Sequence, residues 1–176
     1  AEEIFRKVIN MIPNHFFPYF KLGVILFKLN RLSEAEIVFI QSKKLKSDFV
    51  DTIRSLGLTL YHQNKLEEAA ENFREVIRFT PDSVDAYNNL GSTLDKQNKP
   101  EQAIENYKKA IDLNPDYLQS YFNLGNVFRQ INKFTESEKC YRKVISINPD
   151  FIQAYNNLAA LLQDLGRFDE AKALYS

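Results

Sequence analysis

Hydrophobic residues along this chain recur at spacings of three and four, and the whole pattern returns every 34 residues. The sharpest series is Leu22, Leu56, Leu90, Leu124 and Leu158. Each leucine is followed by a small residue: Gly23, Gly57, Gly91, Gly125 and, last, Ala159. Pro81, Pro115 and Pro149 share the interval, Pro13 lies two periods before Pro81, and Ser47 stands where the missing proline would fall. Three unrelated residue types locked to one period point to a tandem array.

Each period predicts two helices. The first carries a large residue (Tyr19, Ile53, Tyr87, Tyr121, Tyr155), then the Leu-small pair, then Leu26, Leu60, Leu94, Phe128 or Leu162. These spacings put all of them on one helical face. Asn30, Asn64, Asn98, Asn132 and Gly166 follow, the residue types that tolerate a left-handed backbone just past a helix end. The second helix carries Ala35, Ala69, Ala103, Ser137 and Ala171, and four residues later Phe39, Phe73, Tyr107, Tyr141 and Tyr175. Asn14, Asp48, Asp82, Asp116 and Asp150 are expected to cap the helices that come next. Small residues on both helices let them approach at a shallow angle, about 20°. No such hairpin buries its apolar stripe alone, so each needs its neighbours.

This large-Leu-Gly, Ala, aromatic and Pro pattern resembles the tetratricopeptide repeat family over essentially the whole chain. The resemblance implies an all-α, right-handed superhelical solenoid of antiparallel helix hairpins, a single domain over 1–176. Residues 1–15 would supply a half repeat, the second helix only; 16–49, 50–83, 84–117 and 118–151 full repeats; and 152–176 a truncated one. The first two repeats depart from the family pattern, with Pro18 in a first helical turn, Ser47 in place of proline, and Lys43 where later repeats have Ile77, Ile111 and Ile145. The chain starts inside a hairpin and stops inside another, without the polar caps with which solenoids finish, so a fragment of a longer repeat protein is expected.

Composition narrows the function. The chain is 44% hydrophobic and 26% charged, as a globular protein is. Its 23 basic residues match 23 acidic ones, so the basic excess of a nucleic-acid binder is missing and no nucleic-acid partner is expected. No stretch of about 18 apolar residues offers a membrane span, and no membrane partner is expected. Cys140 is the single cysteine, which excludes an intrachain disulfide and fits a reducing, cytoplasmic setting. His15, His62 and Cys140 lack metal-ligand spacing, and Cys140 sits beside the core aromatic Tyr141, where packing is its expected role. Glu67, Glu68, Asp169 and Glu170 recur at helix starts, where the helix dipole favours them. Phosphate-binding glycine loops, nucleophile elbows and zinc-protease motifs do not occur. No catalytic, cofactor or metal site is expected, and the chain is not expected to be an enzyme.

In the family it resembles, the first helices of successive repeats line a concave face. Asn89, Asn123 and Asn157 share one phase there; Asn88 and Asn156 precede two of them, and Asn126 lies close to Asn123. An amide donates and accepts together, so it can hold the backbone of a guest peptide without reading its side chains. Helices about 10 Å apart would meet an extended chain, rising about 3.3 Å per residue, at every third residue. The alternative is that these asparagines bond to neighbouring helices and hold the stack in register. The ladder resembles the one lining the repeat arm of O-linked N-acetylglucosamine transferases, where it holds substrate peptides. Similar arrays precede glycosyl- and sulfotransferase domains. The match stops at the first two repeats, where Lys21 and Ser55 take the same positions.

Phe17, Phe20, Val24, Phe27, Leu58 and Tyr61 are expected near the same face as an apolar contact, unless the stack itself covers them. The family's two-carboxylate clamp is incomplete: Arg54 pairs with Leu58, Asn88 with Ser92, and Phe122 with Asn126 at the comparable places. The expected function is therefore a scaffold for a protein or extended peptide ligand, with an arm of a larger glycosyltransferase-like enzyme as one setting. The alternative is a structural unit that forms a homo-oligomer by stacking head to tail through repeat ends, where Ile4, Phe5 and Val8 would be exposed.

Overall fold

Every first-helix stripe read from the sequence becomes a helix that starts at the same phase of the 34-residue period. A computed structural model describes residues 1–174, and among them lie eleven α-helices and no strand. They are α1 (Glu2–Met11), α2 (Phe16–Lys28), α3 (Leu32–Leu45), α4 (Val50–His62), α5 (Leu66–Phe79) and α6 (Val84–Lys96). There follow α7 (Pro100–Leu113), α8 (Leu118–Gln130), α9 (Phe134–Ile147), α10 (Ile152–Asp164) and α11 (Phe168–Ala173). Tyr175, expected on the last second-helix face, lies outside the described residues.

Each hairpin turns on one left-handed residue. Asn30, Asn64, Asn98 and Asn132 have φ of 58°, 62°, 58° and 60°, and Gly166 has 72°. The following N–H reaches back five residues, Arg31 to Leu26 O and Lys65 to Leu60 O at 2.9 Å each, which closes the helix end. The expected asparagine and aspartate caps are corrected. The residues at the cap position are His15, Phe49, Tyr117 and Phe151, each one place after the predicted residue. Asp116 and Asp150 instead sit inside a tight turn. Tyr117 N–H closes that turn onto Asn114 O, and the Asn114 side chain accepts from Asp116 N–H at 3.1 Å. A residue held at the third place of a turn cannot also cap the helix beyond it.

The helices fall into two compact units, Ala1–Thr93 and Leu94–Ser176. In the first, α1 packs on α2, and α2 to α5 pack in sequence, with α2 also meeting α4. Leu22, Leu26, Phe39, Ile53, Leu60 and Phe73 are almost wholly buried there. Gly23 allows this approach, for a Cβ on it would stand 2.5 Å from the Phe39 ring. Lys43, out of pattern in sequence, donates to Asn72 Oδ1 at 3.0 Å and Glu75 Oε2 at 2.6 Å, tying α3 to α5. On α1, Ile4 is 63% exposed, while Phe5 and Val8, expected to be exposed with it, are half-buried against the neighbouring helix.

In the second unit, α7 through α11 each pack on the next. Tyr141, Leu158, Leu161, Leu162 and Ala171 form its core, with Phe122 and Phe134 at the margin. Ser137, where other repeats have alanine, donates to Gly125 O at 2.8 Å and so is satisfied while buried. Three ion pairs repeat at one phase between successive second helices: Glu2 with Arg31 at 2.8 Å, Glu36 with Lys65 at 2.6 Å, and Glu138 with Arg167 at 2.6 Å.

Candidate functional site

The predicted asparagines meet two different fates. In the second unit they form a chain of bonds. Asn126 Oδ1 accepts from the Tyr141 hydroxyl at 2.8 Å and from Asn157 Nδ2 at 2.9 Å, which joins α8 to α10. Burial pushes the Tyr141 phenol above its ordinary range, so it stays a proton donor at neutral pH. Asn123 Oδ1 accepts from Gln119 Nε2 at 3.0 Å on the same helix. Asn156 is exposed.

In the first unit, Asn88 is 5% exposed, so its amide is not at the surface. Asn89 is half-exposed, and its side chain makes no hydrogen bond among the described residues. Its carbonyl accepts from the Thr93 hydroxyl at 2.8 Å, which fixes the local helix and leaves the amide turned to other partners.

The apolar residues divide as well. Val24, Phe27 and Leu58 line a cavity of about 160 Å³ between α2 and α4. Lys28 and Ser55 complete its wall, and the fully buried Phe39 contributes from α3. Phe20 belongs to an aromatic cluster instead: its ring lies 6.2 Å from Phe39 and edge-on to Phe49 at 5.1 Å. Phe17, 40% exposed, stands beside it, and the Lys21 ammonium lies 5.0 Å from the Phe17 ring and 5.7 Å from Phe20. Tyr61 meets His62 edge-on at 5.7 Å, and His62 meets Phe27 at 5.5 Å. Sequence reasoning missed Lys28 and Phe39 at the cavity. Lys28 was within reach, because it follows Val24 by four residues and so shares its face.

For chemistry the unit offers little. Cys140 is 8% exposed, and burial pushes its thiol up to about 11, far from a nucleophile's range. Among the described residues no three His, Cys, Asp or Glu side chains come together as a metal site would need. Among the described residues no helix is long and apolar enough to cross a membrane.

Family models described as tetratricopeptide repeat match residues 18–49, 84–117 and 106–139, and one described as TPR repeat matches 57–98 and 125–166. No curated protein matches the chain in sequence. Among solved structures, MamA is 26% identical at a TM-score of 0.81, over 91% of this chain and 87% of that one. PilF of Pseudomonas aeruginosa is 20% identical at 0.81, over 91% and 73%. YrrB, described as a protein of this repeat type with an unusual peptide-binding site, is 21% identical at 0.76, over 99% and 90%. At such identities the last two share the fold alone.

Proposed function

The chain belongs to the tetratricopeptide repeat family, and from that premise we propose that it is a non-catalytic scaffold which holds an extended peptide or partner protein against its first helices. The observation that carries this reading is Asn89, a surface amide in the first helix of its repeat with no internal partner. A side chain retained only for register would be bonded to a neighbour, as Asn126 is. Asn89 can instead give and accept a bond with a guest backbone, and Asn123 and Asn157 stand at the same phase of later repeats. The peptide-binding site in YrrB's description fits the same use of this fold.

In this reading the protein works in the cytoplasm, takes neither nucleic acid nor membrane as its ligand, and can serve as the substrate-presenting arm of a glycosyltransferase-like enzyme. The test is an array of extended peptides, followed by affinity measurements on the strongest binder with Asn89, Asn123 and Asn157 all changed to alanine. Three lost bonds at about 1 kcal/mol each weaken binding on the order of a hundredfold, with helicity unchanged. Equal affinity for the variant and the parent refutes the role of the asparagines.

A second reading, self-assembly through repeat ends, is favoured by α1 and the residue after it, where Ile4, Met11 and Ile12 are 63%, 79% and 46% exposed. Light scattering over a concentration series decides it, and a strict monomer at the highest concentration rules it out.

A further inference from the structure

We infer that the cavity between α2 and α4 takes one apolar side chain of a guest peptide that carries an acidic residue two places to either side of that anchor. The inference rests on the peptide-scaffold reading and specifies its ligand.

Protein interiors seldom leave voids larger than a water molecule. This one is about 160 Å³, open at the surface, and walled by Val24, Phe27, Leu58 and Phe39. A dry cavity of about 150 Å³ admits a benzene-sized group, so a single leucine side chain fits. Ser55 supplies the one neutral polar side chain of the lining. A polar guest group would therefore lose its hydration with little return.

Charge selects the flanks. Helix α2 carries Lys21 and Lys28 and no carboxylate. Among the described residues neither lysine pairs with an acid, whereas Asp51 of α4 is already held by Arg54 at 2.7 Å. Val24 lies one turn from each lysine, so the cations bracket the cavity wall. Seven residues of helix separate them by about 10 Å, the reach of roughly three residues of extended peptide. Lys21 rests over the Phe17 and Phe20 rings, which steadies its ammonium while leaving it open to a carboxylate.

The probes are three labelled peptides, GSESLSESG, GSKSLSKSG and GSESGSESG, titrated against the whole chain by fluorescence anisotropy. The acidic leucine peptide should bind at least about tenfold tighter than either of the others. Its lead over the basic one should shrink as salt rises from about 0.05 to 0.5 M. Ser55→Phe, which fills the cavity from its lip, should bring it down to the level of the leucine-free peptide. Lys28→Glu, which leaves one cation and one anion beside the cavity, should erase the preference between acidic and basic flanks. Because a filling variant can disturb the fold, methyl signals of Val24 and Leu58 are followed by NMR in the unaltered protein; they should shift on adding the acidic leucine peptide and not the leucine-free one.

Equal binding of acidic and basic peptides, or still methyl signals at saturation, overturns the inference. If an array peptide without an apolar anchor binds as tightly as any and weakens in the triple asparagine variant, the scaffold reading stands and this one falls. If the acidic leucine peptide binds at the cavity and ignores those three alanines, this one stands and the asparagine grip falls.

Discussion

Replacing Gly23 by alanine sets two effects of known sign against each other. Glycine inside a helix costs about 1 kcal/mol relative to alanine, so propensity alone would stabilise the variant by that amount. Against it stands the Phe39 ring, whose Cε1, Cδ1 and Cζ atoms would lie 2.5, 2.7 and 2.8 Å from the new methyl. Ordinary carbon contacts begin near 3.5 Å, so the ring must retreat by roughly 1 Å. Phe39 is fully buried, and such overpacking costs about 1–3 kcal/mol. We expect a net loss of about 1 kcal/mol, read as a lower urea midpoint of the helical signal. Gly57→Ala, with its nearest ring atom at 2.9 Å, should lose less or nothing. The decisive assay is a double-mutant cycle with Phe39→Leu, which removes the ring. If the clash is the cause, Gly23→Ala becomes stabilising in the Phe39→Leu background. Additive effects in that cycle, or a raised midpoint for Gly23→Ala alone, refute the reasoning.

Further outcomes follow from contacts described above. Lys43→Ile should cost about 1–2 kcal/mol by stranding the half-buried Glu75 and the buried Asn72, and adding Glu75→Ala should recover most of it; no recovery in urea melts speaks against the bridge. Arg167 holds the Glu138 carboxyl below its ordinary value of 4.5, through a hydrogen bond opposed in part by burial. A carboxyl lowered in the folded state adds stability at neutral pH and loses it as pH falls below about 4.5, so Arg167→Met should flatten that acid limb; an unchanged limb removes the bridge from the account. Cys140 should react with a thiol reagent at least about a hundredfold more slowly in the native protein than in denaturant; fast native labelling contradicts its burial.

Much of this fold was legible because the signals were redundant. Leucine, glycine and proline series gave one period, and the left-handed turns followed from asparagine at a fixed phase. The caps were misplaced by one residue because an aspartate before a helix suits a turn and a cap equally, and only the turn bond onto Asn114 decides between them. Pairings across repeats were hidden for a different reason. Lys43 departs from the pattern because Asn72 and Glu75 stand opposite it, and Glu2 with Arg31 shows a spacing that no local rule flags. The site was half legible. Phase nominated Asn89, Asn123 and Asn157, and Asn126 entered only as a neighbour of Asn123, yet neither signal could tell that Asn126 is bonded to Tyr141 while Asn89 makes no side-chain bond.

Within each unit most packing joins helices that are neighbours in sequence, and the bonds that skip a helix, such as Lys43 to Glu75 and Asn157 to Asn126, reach no further than the next repeat. Contacts that local close little loop when they form, so folding should be fast and able to begin in any hairpin. The same feature governs how the molecule comes apart. A protease that nicks one turn removes support from the adjoining hairpins and not from distant ones, so digestion should shorten the protein in steps of one repeat, leaving a ladder of folded fragments.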